Sequence, residues 1–312
     1  MATVARRTLR PLGEVVPPTP AGVAFTRALV AGSLAAFGPP PRDTQVTGVD
    51  IDTAAGRVRG EWVRGPGAHR RDGCVFYLHG SGYALCSPRT HRGLTSRISA
   101  QTGLPVFAVD YRLAPRHPFP AAAEDVIAAW HWLTAHHHPA ARIAVAGDSA
   151  GGHLALDLAL HTIRARTPQP AALALLSPLV DLTFATAARR EALRPDPLLG
   201  SGAARRLLGH YVGDTDPAHA RLAHVLADGE RLPPTLIQAG GAEMLAADAH
   251  RLHRMLRAAG GDSTLEIWPG QVHVFQALPR LVPEAGPALR RATTFLADAV
   301  PQAVPGRRRR IA

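Results

Sequence analysis

Between a short apolar run at residues 143–146 and a helix-length segment at 153–166 lie Gly147-Asp148-Ser149-Ala150-Gly151. This is G-x-S-x-G in a strand–turn–helix setting, and no other feature constrains the fold as much. The glycines permit a turn too tight for a Cβ. The turn pushes the Ser149 hydroxyl out above the sheet edge, where a substrate can reach it. The Ala150 N–H then lies at a helix start and can donate to a developing oxyanion. A Gly-rich turn with an inert serine has the same letters, but a strand before it and a helix after it favour a nucleophile.

The rest of the chain fits that setting. Apolar runs bounded by turn or polar residues recur at 74–78, 106–109, 143–146, 172–176, 234–238 and 265–268. They alternate with helix-length segments at 92–102, 121–135, 153–166, 248–259 and 286–299. Short buried strands alternating with helices predict an α/β fold, with a mostly parallel sheet and helices on both faces. Two earlier segments, 45–51 and 56–63, look antiparallel and bring the expected sheet to eight strands. Residues 182–228 break the alternation with polar, helix-like sequence. With residues 1–40 they are expected to form a helical cap over one catalytic domain at 41–300. A basic tail at 301–312 is expected to be disordered.

Composition removes other classes. Hydrophobic residues are 46% of the chain and charged residues 19%, which excludes disorder for most of its length. No stretch of eighteen apolar residues runs without a charge, so no membrane span is expected. Cys74 and Cys86, the two cysteines, exclude a disulfide scaffold and a Cys-rich metal site. The net charge is +11, yet all 35 basic residues are Arg, with no Lys and no Asn. Arg, Ala, Gly and Pro share GC-rich codons, so the excess reads as coding bias. The basic–aromatic interleaving of a nucleic-acid binder is missing, and Arg307 to Arg310 sit together in the tail.

Arg6 and Arg7 ahead of the apolar stretch 21–39 imitate a twin-arginine signal. Glu14, Pro17, Pro18 and Pro20 intervene, Arg27 interrupts the run, and Phe25, Leu29 and Val30 recur at helical spacing. An amphipathic helix is therefore expected, in a cytoplasmic protein with both thiols reduced.

A second motif, His79-Gly80-Ser81-Gly82-Tyr83, follows the run 74–78. Its glycines let backbone N–H groups approach a negative charge, which supplies the other half of an oxyanion hole. His79 reads as a residue that orders this loop rather than as a base. These two motifs, with Asp110-Tyr111-Arg112-Leu113-Ala114-Pro115, His117-Pro118-Phe119-Pro120, Ser177-Pro178 and the stretch from Trp268 through Gln276, resemble the hormone-sensitive-lipase-like family of α/β-hydrolase esterases. The match is to the GDSAG branch and covers roughly residues 60–300.

The resemblance implies oxyanion donors at Ser81, Gly82 and Ala150. Ser81 stands where the family usually has glycine. A serine N–H donates equally well if its backbone fits, while its side chain narrows the acyl site. The fold also implies the chain order Ser, acid, His. Among sixteen histidines, His273 lies in the kind of segment beyond the last strand where the family places its base. His250 falls inside a helical pattern. His136, His137 and His138 lack a carboxylate or Cys partner at ligand spacing, so no metal is expected. Glu243 follows the run 234–238 and takes the position of the family's usual Asp in Asp-x-Leu, with Leu245 fitting the pattern. The competing carboxylate, Asp248, reads as a charge at a helix N-terminus.

The expected activity is a serine carboxylesterase on short to medium acyl esters, with catalytic Ser149, Glu243 and His273. No cofactor, metal or nucleic acid is expected, and a homodimer through the last strand and helix is implied by resemblance. The alternative is a non-catalytic small-molecule-binding protein on the same fold, since fold alone never fixes function.

Overall fold

A computed structural model describes residues 19–302. The paired arginines at 6 and 7 and the tail arginines 307 to 310 lie outside the described residues, as do the expectations attached to them. The chain begins with helix α1 (Pro20–Phe37), then runs β1 (Gln45–Thr53), β2 (Gly56–Arg64), β3 (Cys74–Leu78), α2 (Pro88–Thr102), β4 (Val106–Val109), α3 (Ala121–His136), β5 (Ile143–Asp148) and α4 (Ala150–Arg164). It continues with β6 (Leu173–Leu176), α5 (Ala185–Leu193), α6 (Ser201–Val212), α7 (Ala220–Ala223), β7 (Thr235–Gly240), α8 (Ala246–Ala258), β8 (Ser263–Trp268) and α9 (Ala285–Ala299).

Eight strands form one sheet in the order β1-β2-β4-β3-β5-β6-β7-β8. The pairs β1–β2 and β2–β4 are antiparallel and the rest are parallel. Every residue of β3 to β7 is buried, because helices cover both faces. The period-2 alternation of a strand divides the core in two. Cys74, Phe76 and Leu78 pack with Val126 and Trp130 of α3 and Leu154 of α4. Val75 and Tyr77 pack on the other side with Leu94 and Ile98 of α2 and Leu289 and Leu296 of α9.

Four of the five expected helices start earlier than the apolar pattern suggested, and α3 starts at Ala121 as expected. Helix α2 begins at Pro88 rather than 92, where proline at the first position loses no hydrogen bond and Thr90 Oγ1 accepts the Ser87 N–H at 3.1 Å. Helix α4 begins at Ala150, directly after Ser149.

Helix α1 departs from the expected amphipathic pattern. Its Gly22 and Val23 are buried, whereas Phe25 (51%) and Leu29 (37%) are exposed. Its one charge faces inward: Arg27 donates to the carbonyls of Ala84 at 2.6 Å and Ala114 at 3.2 Å. Among the described residues α1 is the one helix long and apolar enough to cross a membrane, with mean hydropathy 1.3, and these bonds tie it to the α/β body.

Candidate active site

The C-terminal ends of β3, β5, β7 and β8 converge on one cleft. Register brings Leu78 of β3 beside Gly147 of β5, so the loops that follow both strands meet. Ser149 occupies φ 51°, ψ −118°, a region that costs a non-glycine residue about 1–3 kcal/mol. Its surroundings hold it there. Its N–H donates to Leu176 O at 3.0 Å, and its carbonyl accepts from Gly152 N at 3.0 Å and Leu179 N at 3.1 Å. A Cβ on Gly151 would stand 1.9 Å from Leu78 O, so the close contact of elbow and β3 requires glycine.

The loop after β3 is equally constrained. Ser81, Gly82 and Tyr83 all have positive φ, at 82°, 61° and 59°. Ser81 O accepts the N–H groups of Ala84 and Leu85, and Cys86 Sγ donates to Ser81 Oγ at 2.8 Å. Among the described residues the N–H groups of Ser81, Gly82 and Ala150 donate to no protein acceptor. Two loops are thus held with donors available at one end of the cleft.

Asp148 couples them. Its Oδ1 accepts from Tyr77 Oη at 2.6 Å and from Gly80 N at 3.0 Å, with His91 Nε2 at 3.4 Å. Burial would raise this carboxyl, but the charge and hydrogen bond of His91 and the Tyr77 hydroxyl outweigh it and hold the group below its usual value. Asp148 was legible only as a variable letter of the elbow motif. Nothing in the sequence tied it to Gly80, Tyr77 or His91.

His79 stays with its loop. Its ring stacks on Tyr111 with centroids 4.2 Å apart, and Tyr111 Oη donates to its carbonyl at 2.6 Å. Burial, helped by the neighbouring His91 charge, lowers its pKa to about 3, so the ring is neutral.

On the opposite side, His273 Nδ1 lies 2.5 Å from Glu243 Oε2. Glu243 is fully buried and His273 retains 13% side-chain exposure. The other carboxylate oxygen, Oε1, accepts from Ser177 Oγ at 2.8 Å and from Gly240 N at 2.6 Å. Ser177 Oγ also accepts the Val274 N–H at 3.0 Å, so one hydroxyl fixes both the acid and the His273 loop. Burial alone would lower the His273 pKa. The Glu243 charge and hydrogen bond overcome that and raise it.

Asp248 is in the first turn of α8, as expected, but its partners lie elsewhere. It is buried, and its Oδ2 accepts the N–H groups of Val180 at 2.8 Å and Asp181 at 3.0 Å. His250 is exposed on the same helix. His137, at the end of α3, packs edge-on against Trp62 and Trp132.

The family pattern of the α/β hydrolase fold matches residues 75–277, a span containing Ser81, Ser149, Glu243 and His273. The chain is 39% identical over 290 residues to an acetyl-hydrolase of Streptomyces hygroscopicus, covering 92% of this chain and 91% of that protein. It is 33% identical over 313 residues to a carboxylesterase/phospholipase of Mycobacterium tuberculosis, covering 96% and 80%. A solved esterase from the bacterial hormone-sensitive lipase family superposes with TM-score 0.85 at 34% identity, over 96% of this chain and 97% of that one. The chain belongs to the hormone-sensitive-lipase-like family of α/β-hydrolase esterases.

The cleft of this esterase is about 390 Å³ and brings together residues far apart in sequence. Ser149 and His273 line it together with Ser81 and Gly82. Its walls are apolar: Leu29, Val30 and Leu34 come from α1, and Leu207 and Leu208 from α6. The segment between β6 and β7 also braces the acid loop. Arg190 of α5 donates to Glu243 O at 2.8 Å and Gly241 O at 2.6 Å. Buried Asp196 accepts the Met244 N–H at 2.7 Å. Neither brace could be read from the sequence, because both partners are carbonyls and N–H groups that any residue carries.

Removing the Ser177 hydroxyl is expected to loosen Glu243 and His273 together. Ser177→Ala should lower kcat by roughly tenfold to a hundredfold with KM little changed, as for a group that positions others. Steady-state kinetics on a p-nitrophenyl ester check this; an unchanged kcat removes Ser177 from the site's support.

Proposed function

We propose that this esterase hydrolyses short to medium acyl esters through an acyl-enzyme on Ser149, with His273 as general base and Glu243 as its orienting acid. Ser149 Oγ attacks the ester carbonyl while His273 Nε2 takes its proton. The tetrahedral oxyanion is held by the N–H groups of Ser81, Gly82 and Ala150. His273 returns the proton to the leaving alcohol, and water, activated by the same imidazole, releases the acid. Glu243 fixes the Nδ1–H tautomer and stabilises the imidazolium without taking the proton. The observation that carries this reading is the bond from His273 Nδ1 to a buried carboxylate, with Ser149 on the same cleft. A series of p-nitrophenyl esters from acetate to palmitate tests it. Turnover highest at short or medium length supports it, and no turnover on any ester overturns it.

The catalytic domain is read as residues 41–300, with α1 and residues 182–228 as its cap, and its location as cytoplasmic. The apolar side chains of α1 in the cleft support the cap role. Val30→Trp should lower kcat/KM for an octanoyl ester by roughly tenfold or more while leaving the acetyl ester nearly unchanged. Equal effects on both esters would remove α1 from acyl selection. A homodimer along β8, one of the two edge strands of the sheet, belongs to the same proposal, and sedimentation as a monomer at all concentrations rejects it.

A raised His273 pKa fixes the sign of the pH dependence. The imidazole acts as a base only when neutral, so kcat/KM should fall as pH drops through a value above the ordinary 6.5. Glu243→Gln removes the two largest influences that raise it and leaves burial, which lowers it, opposed only by the smaller effects of the Asp196 and Asp148 charges. The acid limb of the residual activity should therefore move to lower pH. An unmoved limb would mean that Glu243 does not act on His273.

A further inference from the structure

Outside the catalytic cleft, a second groove of about 460 Å³ runs between α5 and α8. Arg190, Arg194, His250 and Arg254 line it, with Thr186 beside them, and no carboxylate does. The nearby acids are committed elsewhere. Glu191 accepts the Ser201 N–H at 2.8 Å, Glu243 holds His273, and Asp248 takes the Val180 and Asp181 N–H groups. Asp181 lies 3.7 Å from Arg251. Other arginines of this protein grip carboxylates: Arg57, Arg112, Arg164 and Arg221 do so at 2.7–2.8 Å. Arg194 and Arg254 form no such pair among the described residues. His250 shares this surface, and its pKa is held below the usual value by partial desolvation and then by the charges of Arg254 and Arg190.

We propose that this groove is a binding site for a phosphate group, carried by free orthophosphate or by a phosphomonoester. Guanidinium groups present planar, paired donors that match phosphate oxygens, and a concave wall with no counter-charge leaves those donors for a ligand. Arg190 connects the groove to the catalytic acid. Its Nε and one Nη hold the carbonyls of Glu243 and Gly241, which leaves the other Nη for the groove. A phosphate seated there would anchor Arg190, and through it the loop that carries Glu243.

Isothermal titration calorimetry of the full chain tests the site, with potassium phosphate and glycerol 3-phosphate as probes and sodium chloride at equal ionic strength as control. One saturable site is expected, with affinity falling roughly tenfold in each of Arg194→Gln and Arg254→Gln. Ester turnover of both variants without phosphate should equal that of the parent, showing an intact fold. Binding of both probes with the same arginine dependence assigns the site to a phosphoryl group on a larger molecule. Binding of orthophosphate alone assigns it to the free ion. No saturable heat with either probe, the same heat from sodium chloride, or undiminished binding by the double variant overturns the proposal.

Discussion

Ser149→Ala is expected to abolish ester hydrolysis, with a loss of about 10⁶ in kcat, the scale seen when a serine nucleophile is removed from a triad. The fold should survive. Ser149 Oγ makes no hydrogen bond among the described residues, and the elbow is held by the backbone groups of Ser149, Leu176, Gly152 and Leu179, which alanine retains. Alanine also accepts the φ of 51° no less readily than serine does. A fluorophosphonate probe should label the parent chain and not the variant, while the far-ultraviolet circular dichroism of the two coincides. Labelling at another residue, with hydrolysis retained in Ser149→Ala, would remove the acyl-enzyme mechanism. Labelling of the parent also excludes a protein that only binds its ligand.

The second large effect separates two buried carboxylates. Glu243→Gln should cut kcat by up to about 10⁴ while leaving KM nearly unchanged, the scale for a triad acid replaced by its amide. The amide can still bond to the imidazole, but it favours the wrong tautomer and cannot stabilise the imidazolium. Asp248→Asn should leave kcat within about threefold of the parent, because its one bonded oxygen serves only the Val180 and Asp181 N–H groups. Its effect belongs to stability. Burial pushes the Asp248 carboxyl up to about 6, above its unfolded value of 3.8. The folded state therefore binds the proton more tightly, and stability from this group is lost as pH rises from about 4 to about 6. An asparagine keeps an acceptor for the two N–H groups and carries no charge to bury, so the variant should lose less stability above pH 6 than below pH 4 relative to the parent. Kinetics on both variants decide the matter; the reverse ranking of kcat would give the acid's role to Asp248.

What sequence alone determined follows from local chemistry. The elbow at Gly147 to Gly151, the loop at His79 to Tyr83 and the apolar runs of β3 to β7 are each written in consecutive residues. Positive φ, close backbone approach and burial on both faces leave few residue types acceptable at each position. The α/β class, the eight strands and the placement of Ser149, Glu243 and His273 at strand ends were therefore legible. Tertiary structure decided what depends on groups that every residue carries, or on partners far along the chain. The Asp248 bonds to the Val180 and Asp181 N–H groups span 68 and 67 positions, and those of Arg190 end on backbone carbonyls. Ser177 reaches Glu243 across 66 positions and Val274 across 97. Helix α1 gives the sharpest case. Its apolar spacing predicted a helix correctly, but hydrophobicity alone does not say which side faces the protein. In the observed orientation the Arg27 guanidinium bonds the Ala84 and Ala114 carbonyls, Gly22 and Val23 are buried, and Phe25 faces outward.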